Sequence, residues 1–122
     1  MRANRTSPRP VVHLELHTRD GQRATAFYTR LLAWRSEVVR SGEASYVSLD
    51  TGAPLGGGIV ECGSRRPLWL PYVAVDRIED STDRARELGA VVLLEPRRCR
   101  SGWRSVVSSP EAGEVALWEA RR

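Results

Sequence analysis

The sequence predicts an α+β fold built from two βαβββ modules, and three observations lead to it. Val11 to Thr18 alternates, with Val11, His13, Glu15 and His17 on one face and Val12, Leu14 and Leu16 on the other, the period of two that marks a strand. Gln22 to Trp34 then places Ala24, Phe27, Tyr28, Leu31 and Leu32 at i, i+3, i+4, i+7 and i+8, the stripe of an amphipathic helix. The strand–helix–three-strand order restarts about 57 residues later, with His13 aligned near Leu70, and a period of that length is an architectural repeat. Neither half has enough apolar surface for its own core. Paired modules make a curved mixed sheet with helices on its convex face and a concave face left for a ligand.

Pro10 closes a leading segment, residues 1–10, that holds three Arg and no apolar run. It reads as a disordered basic tail and not as a secretory signal. Asp20-Gly21 breaks the first strand, and Asp20 is placed to cap the helix that follows. Strands follow at about Arg35–Arg40 and Ser45–Asp50, then turn chemistry at Thr51-Gly52-Ala53-Pro54. Gly56-Gly57-Gly58 leads into a short strand, Ile59 to Cys62. Module one is residues 11–62 and the polar linker is 63–68. Module two, 69–120, opens with a strand from Trp69 to Asp76. A helix from Glu79 to Leu88 turns Ala85 and Leu88 inward and stops at Gly89. Val91–Glu95 is a strand, Pro96 to Gly102 a basic loop carrying Arg97, Arg98 and Arg100, and Trp103–Ser108 and Glu114–Ala120 the closing hairpin. Phe27, Tyr28, Leu31 and Leu32 are expected in the core, with Trp34 closing it.

The chain has 122 residues, 41% apolar and 28% charged, a globular balance in one domain over 11–120. The longest apolar run, Ala90 to Leu94, is far shorter than the about 20 residues of a membrane span. All 19 basic residues are Arg, a bias that fits GC-rich codons. Five of them lie outside 11–120, which leaves fourteen Arg against fifteen acids and a domain charge of −1. The excess charge therefore belongs to the ends of the chain and does not describe a nucleic-acid-binding surface. Cys62 and Cys99 fit no zinc spacing and are expected as free thiols in a reducing cytoplasm. Arg98 and Arg100 flank Cys99, but an inert loop thiol is the plainer reading. Gly56-Gly57-Gly58 is not a phosphate loop, since no Lys-Ser/Thr follows it; it lets backbones approach closely or supplies a flexible rim.

Several motifs resemble those of a known family. Asp20 with Ala26-Phe27-Tyr28-Thr29-Arg30-Leu31-Leu32-Ala33-Trp34, then Pro71-Tyr72-Val73-Ala74-Val75-Asp76 and Glu87-Leu88-Gly89-Ala90, and finally Gly102-Trp103 and Ser109 to Glu119, resemble the vicinal oxygen chelate superfamily. That group includes glyoxalase I, bleomycin-resistance proteins and extradiol dioxygenases. The resemblance covers about residues 11–119 and is greatest to a metal-poor, glyoxalase-like branch common in actinomycetes. It implies the glyoxalase/bleomycin-resistance fold and a homodimer.

Enzymes of that family hold a divalent metal with His, Gln or Glu from both modules. Carried over, the ligand positions fall on His13, on the stretch Gly58–Glu61 where Glu61 is the only donor, on Leu70 and on Ala116. Leu70 and Ala116 have no donor atom. A catalytic metal needs about three protein ligands, so the expected cofactor is none, with His13 and Glu61 the only weak metal candidates.

The remaining candidates are ligand contacts. His13, Glu15 and His17 form an ionisable row that could anchor a ligand or act as general base; a relic ligand position beside two solvated groups is the plainer reading. Tyr46, Trp69, Tyr72, Trp103 and Trp118 offer aromatic lining for a planar organic ligand, and Trp118 shares the face of Ala116. Arg97 to Arg100 could steer an anion, or simply be solvated. The expected function is metal-independent binding of a small, aromatic organic molecule, with no nucleic-acid or membrane partner. The alternative is an enzyme of the same superfamily, either a metal-dependent lyase or dioxygenase, or a metal-free isomerase using His13 with Glu15 or His17.

Overall fold

Alternating apolar residues carry the first strand, β1 (Val11–Thr18), and its Leu16 face is buried. The computed structural model describes residues 7–41, 44–63, 66–99 and 101–121. After β1 come α1 (Gly21–Leu32), β2 (Arg35–Ser41), β3 (Ala44–Asp50), β4 (Gly56–Glu61), β5 (Leu68–Ala74), α2 (Ile78–Glu87), β6 (Val91–Cys99), β7 (Gly102–Ser109) and β8 (Gly113–Ala120). The order is βαβββ twice, an α+β fold. The chain divides into a first unit, His13–Pro71, and a second, Met1–Val12 with Tyr72–Arg122.

In the first unit β1 pairs parallel with β4, which pairs antiparallel with β3, which pairs antiparallel with β2. Leu16, Leu49 and Ile59 form the buried core, with Ala24, Tyr28, Trp34, Val47 and Trp69 packed against it. Each buried aliphatic contributes about 1.5–3 kcal/mol. Asp20 caps α1 by accepting from the Arg23 N–H at 3.1 Å. The aromatic rings lock the helix: Tyr28 stacks on Trp34 at 5.3 Å and meets Trp69 edge-on at 5.3 Å.

Two expectations for this unit change. Phe27 and Leu31 are 57% and 62% exposed, and Leu32 is exposed too. With Arg23, Ala26 and Arg30, Phe27 and Leu31 line a shallow surface groove, so of the four residues assigned to the core only Tyr28 packs there. Helical spacing identifies a stripe, but the core beneath accommodates only its Ala24–Tyr28 edge. Second, the Gly run lies inside β4. A Cβ on Gly57 would meet the Leu49 carbonyl at 3.1 Å and the Leu49 Cβ at 3.2 Å, the close backbone approach that favours glycine in a strand.

The second unit repeats the pairing scheme: β5 is parallel to β8, which is antiparallel to β7, which is antiparallel to β6. Ile78, Thr82, Ser105 and Val107 are buried between helix and sheet. Thr82 Oγ1 donates to the Ile78 carbonyl at 2.6 Å and lies 2.8 Å from Ser105 Oγ, so the Ser105 hydroxyl is the donor in that second bond. The inward residues of α2 are Ile78 and Thr82; Leu88, expected inside, is 70% exposed, because the helix ends at Glu87 and Gly89 reverses the chain at φ +98°. The expected basic loop is also different. Strand β6 runs through Arg97 and Arg98 to Cys99, with register shifts after Val92 and Leu94; Arg100 lies outside the described residues.

Of the expected basic tail, residues 1–6 are outside the described residues. Arg9 and Pro10 are held to the second unit, Arg9 by an ion pair to Asp76 at 3.1 Å and Pro10 through its carbonyl, which accepts from the Ala74 N–H at 3.0 Å. Arg65, in the linker, is also undescribed. Among the described residues no helix is long and apolar enough to cross a membrane.

Candidate functional site

In the first unit, strand alternation turns His13, Glu15 and His17 to the sheet face opposite α1. The His17 Nε2–H donates to Glu15 Oε1 at 2.7 Å, and His13 Nε2 lies 3.5 Å from Glu15 Oε2. One half-buried carboxylate thus orients two imidazoles. The β4 glycines leave this row uncovered on one side. Gly56 sits opposite His13, Gly58 opposite Glu15, and Ser48 opposite Gly58. A Cβ on Gly58 would lie 3.7 Å from the His13 ring, so the position admits a small side chain and no large one. Tyr46, two residues from Ser48, shares this face. A carboxylate flanked by imidazoles can hold a polar ligand group or relay a proton.

In the second unit, Tyr72, Ala116 and Val106 lie in register across β5, β8 and β7, and Ala74, Trp118 and Arg104 form the next row. The Arg104 Nη1–H donates to the buried Tyr72 Oη at 2.6 Å. Trp118 Nε1–H donates to Ser101 Oγ at 3.1 Å. The face opposite α2 therefore presents an indole beside a guanidinium fixed by a phenol. Arg104 was not singled out from the sequence. The turn after Ser109 sets the β7–β8 register, and counting back from Ser109 opposite Gly113 reaches Arg104 opposite Trp118, so the signal was present.

The other aromatic candidates are placed elsewhere. Trp69 donates through Nε1 to the Tyr28 hydroxyl at 3.1 Å and belongs to the core cluster under α1. Trp103 pairs with Glu119, on the helix side of its sheet, where the Arg98 guanidinium stands 5.9 Å over its ring. Cys62 and Cys99 are free thiols.

Of the four metal positions implied by the resemblance, two lack a donor atom and a third is engaged by a helix. Glu61 faces α1, in register with Thr18, and its Oε2 accepts from the Gly21 N–H at 2.7 Å. Leu70 is 2% exposed and Ala116 is 0%, and neither carries a donor. Among the described residues no three His, Cys, Asp or Glu are arranged to hold a metal ion.

No protein-family model matches the chain. It is 27% identical over 125 residues, 89% of its length, to a protein named "Putative glyoxylase CFP32" of Mycobacterium bovis, and equally to its counterpart in Mycobacterium tuberculosis. The chain spans 45% of the length of those relatives. Among solved structures it is similar to the hypothetical protein BH1468 from Bacillus halodurans, with a TM-score of 0.71 and 14% identity over 95% of this chain and 97% of that one. Methylmalonyl-CoA epimerase from Mycobacterium tuberculosis gives 0.66 at 15% identity, covering 96% and 92%. A mutant of 4-hydroxymandelate synthase from Streptomyces coelicolor gives 0.67 at 18%, covering 94% of this chain and 39% of that one. The repeated βαβββ order and these solved structures agree on the fold: the chain has the glyoxalase/vicinal oxygen chelate fold, and in sequence it is similar to a protein named a glyoxylase.

Proposed function

We propose that this chain is a metal-independent, glyoxalase-like binding protein that holds a small planar organic molecule against Trp118 and Arg104 on the second unit's sheet. The observation that carries this reading is the donor set. Leu70 and Ala116 stand at two implied ligand positions, and the carboxylate at a third, Glu61, is engaged by α1. Without a metal, affinity comes from stacking on the Trp118 indole and from polar anchoring by Arg104. Tyr72 fixes the guanidinium and contributes little surface of its own, since it is buried. The test is quenching of tryptophan fluorescence by 4-nitrobenzamide, a neutral planar probe. Saturable quenching that is lost in Trp118→Leu supports the reading; linear, collisional quenching in both proteins overturns it.

A second reading, metal-free proton transfer, is favoured by the His13–Glu15–His17 row, in which one carboxylate orients two imidazoles. Epimerases among the structural neighbours make it worth testing. A pH-dependent turnover that disappears in His13→Ala with the fold intact supports it, and full turnover in that variant refutes it. On either reading the protein is a cytoplasmic homodimer with reduced Cys62 and Cys99, which sedimentation and thiol titration check.

A further inference from the structure

We propose that the outer face of α1 docks on the outer face of α2 of a second copy of this chain, so that a closed dimer makes the contact twice. The inference rests on the homodimer reading above and adds the surface that forms it.

The two helices are equivalent elements of the repeat. Gly21 and Ile78 each donate their N–H to a carboxylate. Thr25 and Thr82, four residues on, each donate a hydroxyl back to the carbonyl of that same residue, at 2.7 and 2.6 Å. That alignment puts Asp80 where α1 has Arg23, Glu87 where it has Arg30, and Leu88 where it has Leu31. The inward positions of the two helices agree, and the outward ones carry opposite charge.

The opposition extends over both elements. Helix α1 holds two Arg and no acid, whereas α2 holds four acids against two Arg. Arg23, Arg30 and Asp80 are exposed and form no ion pair among the described residues. Glu87 pairs with Arg84 of its own helix at 3.1 Å, but both side chains are about two-thirds exposed, and water weakens such a pair. Between the charges the surface stays apolar: Phe27, Leu31 and Leu88 are 57%, 62% and 70% exposed.

Exposed apolar side chains bracketed by arginines are the composition of a protein-binding surface, and this chain carries the complement. Arg23 and Arg30 are separated by the same seven residues as Asp80 and Glu87, roughly 10 Å at helical rise, so both ends of the contact pair at once. Phe27 offers its ring to a guanidinium such as that of Arg84. Two-fold symmetry then repeats the contact, with α1 of each copy on α2 of the other.

The test is analytical ultracentrifugation of charge-reversed chains. Arg23→Glu with Arg30→Glu makes both helices acidic, and Asp80→Arg with Glu87→Arg makes both basic. Each double variant is expected to self-associate about tenfold more weakly or worse, as like charges across an interface require. Mixed in equal amounts, the two variants are expected to form a heterodimer about as tight as the unaltered dimer, because both contacts then join acid to base. Leu31→Gln is expected to weaken the dimer while leaving the stability of the single chain nearly unchanged. An unaltered chain that stays monomeric at high micromolar concentration overturns both this interface and the homodimer reading. A dimer that both double variants retain at full strength overturns the interface alone, as does a mixture that fails to restore association. Circular dichroism of each variant confirms that the fold is retained.

Discussion

Glu61 accepts a hydrogen bond from the first backbone N–H of α1, that of Gly21, at 2.7 Å. The second unit repeats the device: Glu119 Oε1 accepts from the Ile78 N–H, the first of α2, at 2.8 Å. In each repeat a carboxylate on the last strand answers an orphan donor at a helix start, where the dipole also favours negative charge. Removing Glu61 is therefore a change in stability. Glu61→Ala is expected to cost about 1 kcal/mol in chemical denaturation. Glu119→Ala, whose carboxylate is buried, is expected to cost more, about 1–3 kcal/mol.

The glycines of β4 differ in the same way that the two faces of their sheet differ. On Gly57 a Cβ meets Leu49 backbone and side chain at 3.1 and 3.2 Å, whereas on Gly58 its contacts begin at 3.4 Å. Gly57→Ala is expected to lower stability by about 1–3 kcal/mol through overpacking. Gly58→Ala is expected to be clearly milder. Thermal denaturation of the two variants side by side measures the difference.

The hydroxyl pair of Thr82 and Ser105 is fully buried. Thr82→Val leaves the Ser105 hydroxyl without its acceptor and is expected to cost about 1–3 kcal/mol. Combining it with Ser105→Ala is expected to recover part of that loss, which a double-mutant cycle reads directly.

On α1, exposure decides the outcome. Phe27→Gln and Leu31→Gln are each expected to change stability by no more than about 0.5 kcal/mol. Leu16→Ala, in the core beneath, is expected to cost about 2–5 kcal/mol. A loss of core size at Phe27 would contradict the exposed face described here.

The βαβββ repeat, the two faces of β1 and the Asp20 cap were legible in the sequence because each depends on local spacing. A period of two places Leu16 inward and Glu15 outward without knowledge of any partner strand. The rest depended on partners that spacing does not reveal. Phe27 and Leu31 lie on the stripe that helical periodicity selects, yet the core reaches only as far as Ala24 and Tyr28. Trp69, Trp103 and Trp118 look alike in sequence, and only pairing with Glu119 or Arg104 assigns the last two to opposite faces. Arg97 reached its place through register shifts in β6 that no motif announces. Glu61 was only a weak metal candidate in the sequence, and its helix-capping role was hidden because the partner is 40 positions away.

Metal content is the most direct test of the central claim. Protein purified without chelator, quantified by elemental analysis and then loaded with Ni, Zn, Fe or Mn and desalted, is expected to retain far less than one equivalent. One tightly held equivalent that is lost in His13→Ala would contradict the account.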